Sequence, residues 1–395
     1  MPALREEFCR GGRGWILVVV AVGWFFAYGL RFSFSVLLPY ISAEFGLTLA
    51  TGGALMTLLF LTYAFGQLPG GILGDRFGER IVLTGSMICL LVGLGIIVIS
   101  TGFVAFAAGI ILSGFGAGAF APLRFTILSD LYSDREKTAH GVTLAIGDAG
   151  TTALPVVMGI LAAAFFWRLS VGFAIPIIML LVVFLWRIVP RRTAETSGMD
   201  ELTADTFRRI LSNLLRWPVL AVAGLLCLMS SLFIGYAGMY PTYLVVEKGV
   251  TEQGASFFIG LFFACAILVH LIAGTSADRF GGKPVIVGLL VVGTVAFSAT
   301  PFVATSSELV IVTVLSSAPI GVITVALPYL IDALGDEGRG MGFGLIRTIY
   351  ISIASLSPSV IGVLGNIGYF NATFVLLSGI TISGIVLSVN LPENQ

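Results

Sequence analysis

Four ionisable residues stand where a charge is costly. Arg31, Arg124, Asp148 and Arg347 each fall inside a long apolar stretch. A charged side chain at the centre of a bilayer costs roughly 3 kcal/mol on insertion scales, so it normally faces water, a partner or a ligand. A guanidinium offers a planar fork that matches a carboxylate or phosphate. A buried carboxyl is suited to exchanging a proton near neutral pH. These residue types point to anion recognition and proton movement rather than to bond chemistry. The chain carries no nucleotide loop, no metal-ligand spacing and no nucleophile motif. It reads as neither an enzyme nor a holder of a cofactor or metal.

Depth along the apolar runs orders these residues. Arg31 lies about 24 Å into the first run at about 1.5 Å per residue, near mid-bilayer once tilt is allowed. The residue 202 later (31 + 202) is Phe233, so the charge breaks an internal repeat described below. Two roles stay open for Arg31: contact with a substrate, or a structural pair with an acid such as Asp148. Asp148 is about 15 Å from the polar end of its run, and Arg347 about 12 Å. Asp148 is read either as the site of a coupling proton or as a permanent counter-ion. Arg347 is read as a second anion contact, or as a gate or structural pair. Arg124 and His270 are only about 7 Å deep, which favours packing roles, with snorkelling open to Arg124; a minor site role is the alternative for both, as for Asp130 and Asp332. The 30 Phe residues read mostly as lipid-facing filler, and none is assigned to a site.

The elements that must position these groups are membrane helices. The chain is 57% hydrophobic and 11% charged, with a mean hydropathy of +1.04, against about 25% charged in soluble domains. A spanning helix takes about 20 apolar residues, and twelve such runs follow one another: roughly 15–40, 51–74, 81–100, 102–129, 138–163, 168–190, 217–243, 253–275, 284–304, 306–332, 339–365 and 369–390. The first begins near Gly14 and is too long for a cleavable signal. The fold class is therefore an all-α polytopic membrane protein of 12 transmembrane helices in two pseudo-symmetric six-helix halves. The boundaries are an amino-terminal half at 1–190, a cytoplasmic linker at 191–216 with one surface helix, and a carboxy-terminal half at 217–395. Alternating the loops puts 16 of the 21 Lys and Arg on one side and only Arg168 and Lys248 on the other. That asymmetry places both termini and the linker in the cytoplasm of a cell-membrane protein. Twenty-one acids balance the 21 bases, so nucleic acid is no partner. The four cysteines, Cys9, Cys89, Cys227 and Cys265, are scattered and read as small apolar residues. The lipid bilayer and a small molecule are the partners, with the chain as a monomer.

The halves repeat. Gly71-Ile72-Leu73-Gly74-Asp75-Arg76-Phe77-Gly78-Glu79-Arg80 returns as Gly274-Thr275-Ser276-Ala277-Asp278-Arg279-Phe280-Gly281-Gly282-Lys283, with Asp75 and Asp278 203 apart (278 − 75). Asp130 and Asp332 end the fourth and tenth runs, and Pro39 and Pro241 close the first and seventh, each pair 202 apart. A carboxylate at Asp75 can accept backbone N–H bonds at a helix start. Arg76, Arg80 and Arg135 are its candidate partners, with Asp130, Asp134 and Glu136 as competing acids. Gly78 permits a positive-φ turn. The doubled stretch closely resembles the cytoplasmic loop motif of the major facilitator superfamily, Gly-x-Leu-x-Asp-Arg-x-Gly-x-Arg/Lys. Ser276 in the second copy departs from the Leu. In that superfamily such loops latch the cytoplasmic side when the protein opens outward. The resemblance implies that role for Asp75, Arg76, Arg80, Asp278, Arg279 and Lys283; the alternative is a set of static interfacial ion pairs.

A narrower resemblance surrounds Arg31. Tyr28-Gly29-Leu30-Arg31-Phe32-Ser33-Phe34-Ser35-Val36 resembles the first helix of the anion:cation symporter branch, where this Arg contacts the substrate carboxylate. Leu30 replaces an Asp that some members use as a proton site. Ile110 and Ala117 stand where that branch carries an Arg and a Glu. The fifth run holds Gly147-Asp148-Ala149-Gly150, Pro155 and Gly159, loosely similar to the Gly-x-x-x-Gly-Pro motif of drug antiporters. The expected function is secondary active transport by alternating access, proton-coupled and for a small organic anion. The same-fold rival is a drug/proton antiporter. The rival of another class is a receptor or scaffold that does not transport.

Overall fold

The computed structural model describes residues 13–132, 135–191, 214–334 and 339–389, all of them helices and short turns. In chain order α1 is Arg13–Phe45, α2 Leu49–Phe77, α3 Glu79–Ile99, α4 Phe103–Leu131, α5 Glu136–Ala164, α6 Trp167–Gly172 and α7 Ala174–Ile188. Then come α8 Trp217–Val246, α9 Glu252–Phe280, α10 Gly282–Ala299, α11 Ser306–Ser316, α12 Ile320–Leu334, α13 Arg339–Ala354, α14 Ser357–Asn366 and α15 Ala372–Val389. They supply 12 spans long and apolar enough to cross a membrane. The surface helix expected between 191 and 216 lies mostly outside the described residues, as does Asp134.

Three spans expected as single runs are broken, the sixth into α6 and α7 at Phe173. The tenth divides into α11 and α12 just before Pro319–Ile320, and the eleventh into α13 and α14 just before Pro358. Proline donates no N–H, so a carbonyl loses its partner. Serines at these last two breaks take up carbonyls: Ser317 donates to Val314 (2.6 Å), Ser355 to Ile351 (2.7 Å) and Ser357 to Ala354 (2.7 Å). In hydrocarbon that compensation is required, because no water is at hand.

The chain packs as two compact units, residues 1–45 with 58–198, and residues 46–57 with 199–395. The segment 46–57 groups with the second unit. There Thr57 accepts hydrogen bonds from the Ser359 amide (3.1 Å) and hydroxyl (2.8 Å). The repeat is visible in the backbone of the turns. Gly46 and Gly249 have φ of 63° and 64°, and Gly78 and Gly281 have 86° and 84°; each pair is 203 apart. With ψ near 155°, Gly78 and Gly281 sit in a region almost closed to other residues. Gly78→Ala and Gly281→Ala should each cost about 1–3 kcal/mol, read as a lower melting temperature in detergent.

The first unit is held by close approach. A Cβ on Gly29 of α1 would come within 2.5 Å of the Gly150 carbonyl oxygen of α5. One on Gly150 would lie 2.4 Å from the Phe25 carbonyl oxygen. Small residues that let two backbones touch are the usual means of packing helices in lipid. Asp148 stands two residues before Gly150 on α5.

Candidate functional site

One face of α1 carries Trp24, Tyr28 and Phe32 at a spacing of four, which stacks them along the helix. Trp24 and Tyr28 stack at 4.8 Å, Tyr28 meets Phe32 edge-on at 5.5 Å, and Phe32 meets Phe60 of α2 at 5.4 Å. Arg31 lies within this aromatic wall. Its guanidinium carbon is 3.8 Å from the Tyr63 ring centre, 4.7 Å from Phe32, 5.1 Å from Tyr28 and 5.2 Å from Phe60. The side chain is 6% exposed, and its Nε has no hydrogen-bond partner. Among the described residues Arg31 makes no ion pair. Each ring face gives the cation about 0.5–2 kcal/mol. None satisfies its N–H groups, which is the condition a carboxylate would meet.

The structural pair between Arg31 and Asp148 is not formed. The basic group whose charge acts on Asp148 is Arg124. Nor does Arg124 snorkel: it is 2% exposed, 3.9 Å from the ring centre of Phe125 and 4.1 Å from that of Trp24. Shallow depth permitted escape to water, but the rings of α1 and α4 hold the guanidinium inside. Gly147 makes this possible. A Cβ there would lie 2.2 Å from Trp24 Nε1, so its absence admits the indole. Asp148, half-buried, follows directly on α5. Gly147 and Gly150 of the fifth helix are thus accounted for by packing on α1. Phe32 and Phe60 pack on the Arg31 guanidinium and Phe125 on that of Arg124, so these three rings face the interior.

The second unit answers with neutral groups. Phe233, the residue 202 after Arg31, stacks on Phe262 at 6.4 Å. Tyr236 and Tyr240 stack at 4.3 Å; the Tyr240 hydroxyl pairs with Thr313 (2.6 Å), and Tyr243 donates to Asn371 (2.8 Å). Arg347 is half-buried on α13 with no hydrogen bond or ion pair among the described residues. His270 meets Thr324 at 2.5 Å through Nδ1, a tie between α9 and α12.

The loop residues divide. Asp75, Arg76, Asp278 and Arg279 are exposed, as are Asp130 and Asp332, and Lys283 is half-buried. Arg80 donates from Nε to the Val189 carbonyl and lies 5.9 Å from the Trp186 ring, tying the start of α3 to the end of α7. Ser129 donates to Glu136 (2.6 Å) and meets His140 (3.0 Å), which fastens α4 to α5. The two basic residues on the sparse side are also tied. Arg168 pairs with Glu44 and bonds the Ser100 carbonyl (2.8 Å); Lys248 donates to Pro301 and Val303 (both 2.8 Å). Burial pushes the Lys248 amine down, against the upward pull of Glu247.

The family model described as Major Facilitator Superfamily matches residues 20–257 and 235–394. The chain belongs to this superfamily. It is 22% identical over 379 residues to the hexuronate transporter of Bacillus subtilis (strain 168), covering 89% of this chain and 88% of that one. It is 24% identical over 383 residues to the cis,cis-muconate transport protein of Acinetobacter baylyi, covering 90% and 88%. The solved structure of the nucleoside transporter NupG overlays with a TM-score of 0.76 at 15% identity, covering 95% of this chain and 98% of that one. At that identity the overlay speaks for the fold alone. This superfamily member is a multi-pass membrane transporter of a small molecule and not an enzyme.

Proposed function

We propose that the protein is a proton-coupled transporter of a small organic anion carrying a carboxylate. It works as a monomer in the cell membrane, with both termini in the cytoplasm. The observation that carries this reading is Arg31: a buried guanidinium among four aromatic rings, with no acid paired to it. An incoming carboxylate supplies the missing charge and two acceptors at once. The relatives named for hexuronate and muconate support the anion class. Asp148 is the proton site, with Arg124 stabilising its ionised form. Arg347 is a second anion contact in the other unit. Asp75, Arg76, Arg80, Asp278, Arg279 and Lys283 serve the cytoplasmic latch, Arg80 through its tie to α7.

Proteoliposomes with an imposed pH gradient test this directly. Glucuronate, cis,cis-muconate and 4-hydroxybenzoate are offered in turn, with ethidium as the cationic comparison. Accumulation of at least one carboxylate that collapses when the gradient is dissipated is the expected result. Asp148→Asn should abolish that uphill accumulation while counterflow exchange continues. Accumulation of ethidium alone would replace the anion reading with drug export.

A further inference from the structure

Away from Arg31 and Arg124 lies a groove of about 550 Å³ between α3 and α7. Ile81, Thr84 and Ile88 line it from α3, and Val183, Trp186 and Arg187 from α7. Ile81, Ile88, Val183 and Trp186 are about half exposed, and in membrane spans such surfaces meet hydrocarbon. Gly85 sits in the same wall, and a Cβ there would meet nothing within 4 Å. The missing side chain keeps the groove open.

The groove is polar at one end only. Arg187 is exposed and has no hydrogen bond or ion pair among the described residues. Arg80 is fixed beside it by the Val189 carbonyl and the Trp186 ring. Thr84 is 4% exposed, and its Oγ1 has no hydrogen-bond partner. Helical threonines commonly satisfy that hydroxyl on a carbonyl one turn back; this one does not. Thr84 lies about 6 Å below Arg80 along α3, and Ile88 about 12 Å below. The order from the helix ends inward is cation, hydroxyl, hydrocarbon.

We propose that this groove binds one membrane phospholipid with an anionic headgroup. The phosphate meets Arg187 and Arg80, a glycerol ester carbonyl accepts from the Thr84 hydroxyl, and an acyl chain lies along Ile88 and Val183. A phospholipid presents phosphate, ester and chain in that same order of depth. The basic side of the protein is also where anionic lipid is drawn to juxtamembrane arginines. The occupant is a lipid rather than free phosphate, because most of the groove wall is apolar and only its rim is charged.

The test is native mass spectrometry of the full chain in maltoside detergent, titrated with dioleoyl phosphatidylglycerol and separately with dioleoyl phosphatidylcholine. The protein should retain one phosphatidylglycerol at about tenfold lower concentration than phosphatidylcholine. Gly85→Leu should fill the groove and remove that tight lipid. Gly95→Leu, at another glycine of α3 with open space around it, should keep it. Thr84→Val should weaken retention about fivefold, and Arg187→Gln should erase the preference between headgroups. Equal retention of both lipids by the parent protein overturns the proposal. So does unchanged phosphatidylglycerol retention by Gly85→Leu. If Gly85→Leu does not fold, unchanged behaviour of Thr84→Val and Arg187→Gln together overturns it.

Discussion

Arg31→Ala is expected to lower transport of the carboxylate substrate about a hundredfold, while the protein stays folded. Truncating one partner of a buried, hydrogen-bonded charge pair costs roughly 2–5 kcal/mol in binding, and a hundredfold lies at the lower end of that range. The fold loses less. No acid among the described residues pairs with Arg31, so its removal strands no buried carboxylate. What goes is the packing on Tyr28, Phe32, Phe60 and Tyr63. Arg31→Lys retains the charge and the stem but not the planar fork. It should recover stability and leave most of the transport defect in place. The measurements are initial uptake in proteoliposomes and the melting temperature of each purified variant. Parent-like uptake by Arg31→Ala would remove the anion assignment. A steep fall in melting temperature matching the loss of uptake would make Arg31 a structural residue instead.

Much of the fold could be read from the sequence because lipid imposes a length and a polarity on every span. The loop between the second and third spans was legible for a different reason. Gly78 and Gly281 hold almost identical positive-φ conformations, and a turn that tolerates only glycine writes itself into the chain twice. The breaks before Pro319 and Pro358 were not legible. Pro39, Pro69, Pro122, Pro155 and Pro241 sit within unbroken helices, so proline alone does not mark a break in a span. At Pro358 a neighbouring serine, Ser357, had to be in position to take the Ala354 carbonyl.

At the candidate site the legible part was charge. Arg31 stands out against apolar neighbours. The rings around it do not, since a phenylalanine facing the interior has the same composition signal as one facing lipid. The position of Arg124 was hidden too, because depth along a helix says nothing about which neighbour's ring covers a side chain. Trp24 on α1 retains Arg124, and it fits only because Gly147 on α5 has no side chain. That dependence runs across three helices and leaves no local pattern.

Arg124→Met should be the most destabilising single change among the charged residues, by about 2–4 kcal/mol. It removes a fully buried cation from two ring faces and leaves Asp148 without the charge that acts on it. Where two such groups form a buried pair, breaking it commonly costs about 3–5 kcal/mol. The loss here is tempered because Asp148 is only half-buried. Asp148→Asn keeps the shape of the side chain and should cost about 1 kcal/mol. If the two groups form one unit, the double variant will be more stable than the two single losses predict, with a coupling of about 1–2 kcal/mol. Thermal unfolding of the four proteins in one detergent measures it. Additivity within about 0.5 kcal/mol would mean that Arg124 is held by Trp24 and Phe125 alone. Asp148 would then be free to take and release its proton without reference to that arginine, and the stabilising role given to Arg124 in proton coupling would fall.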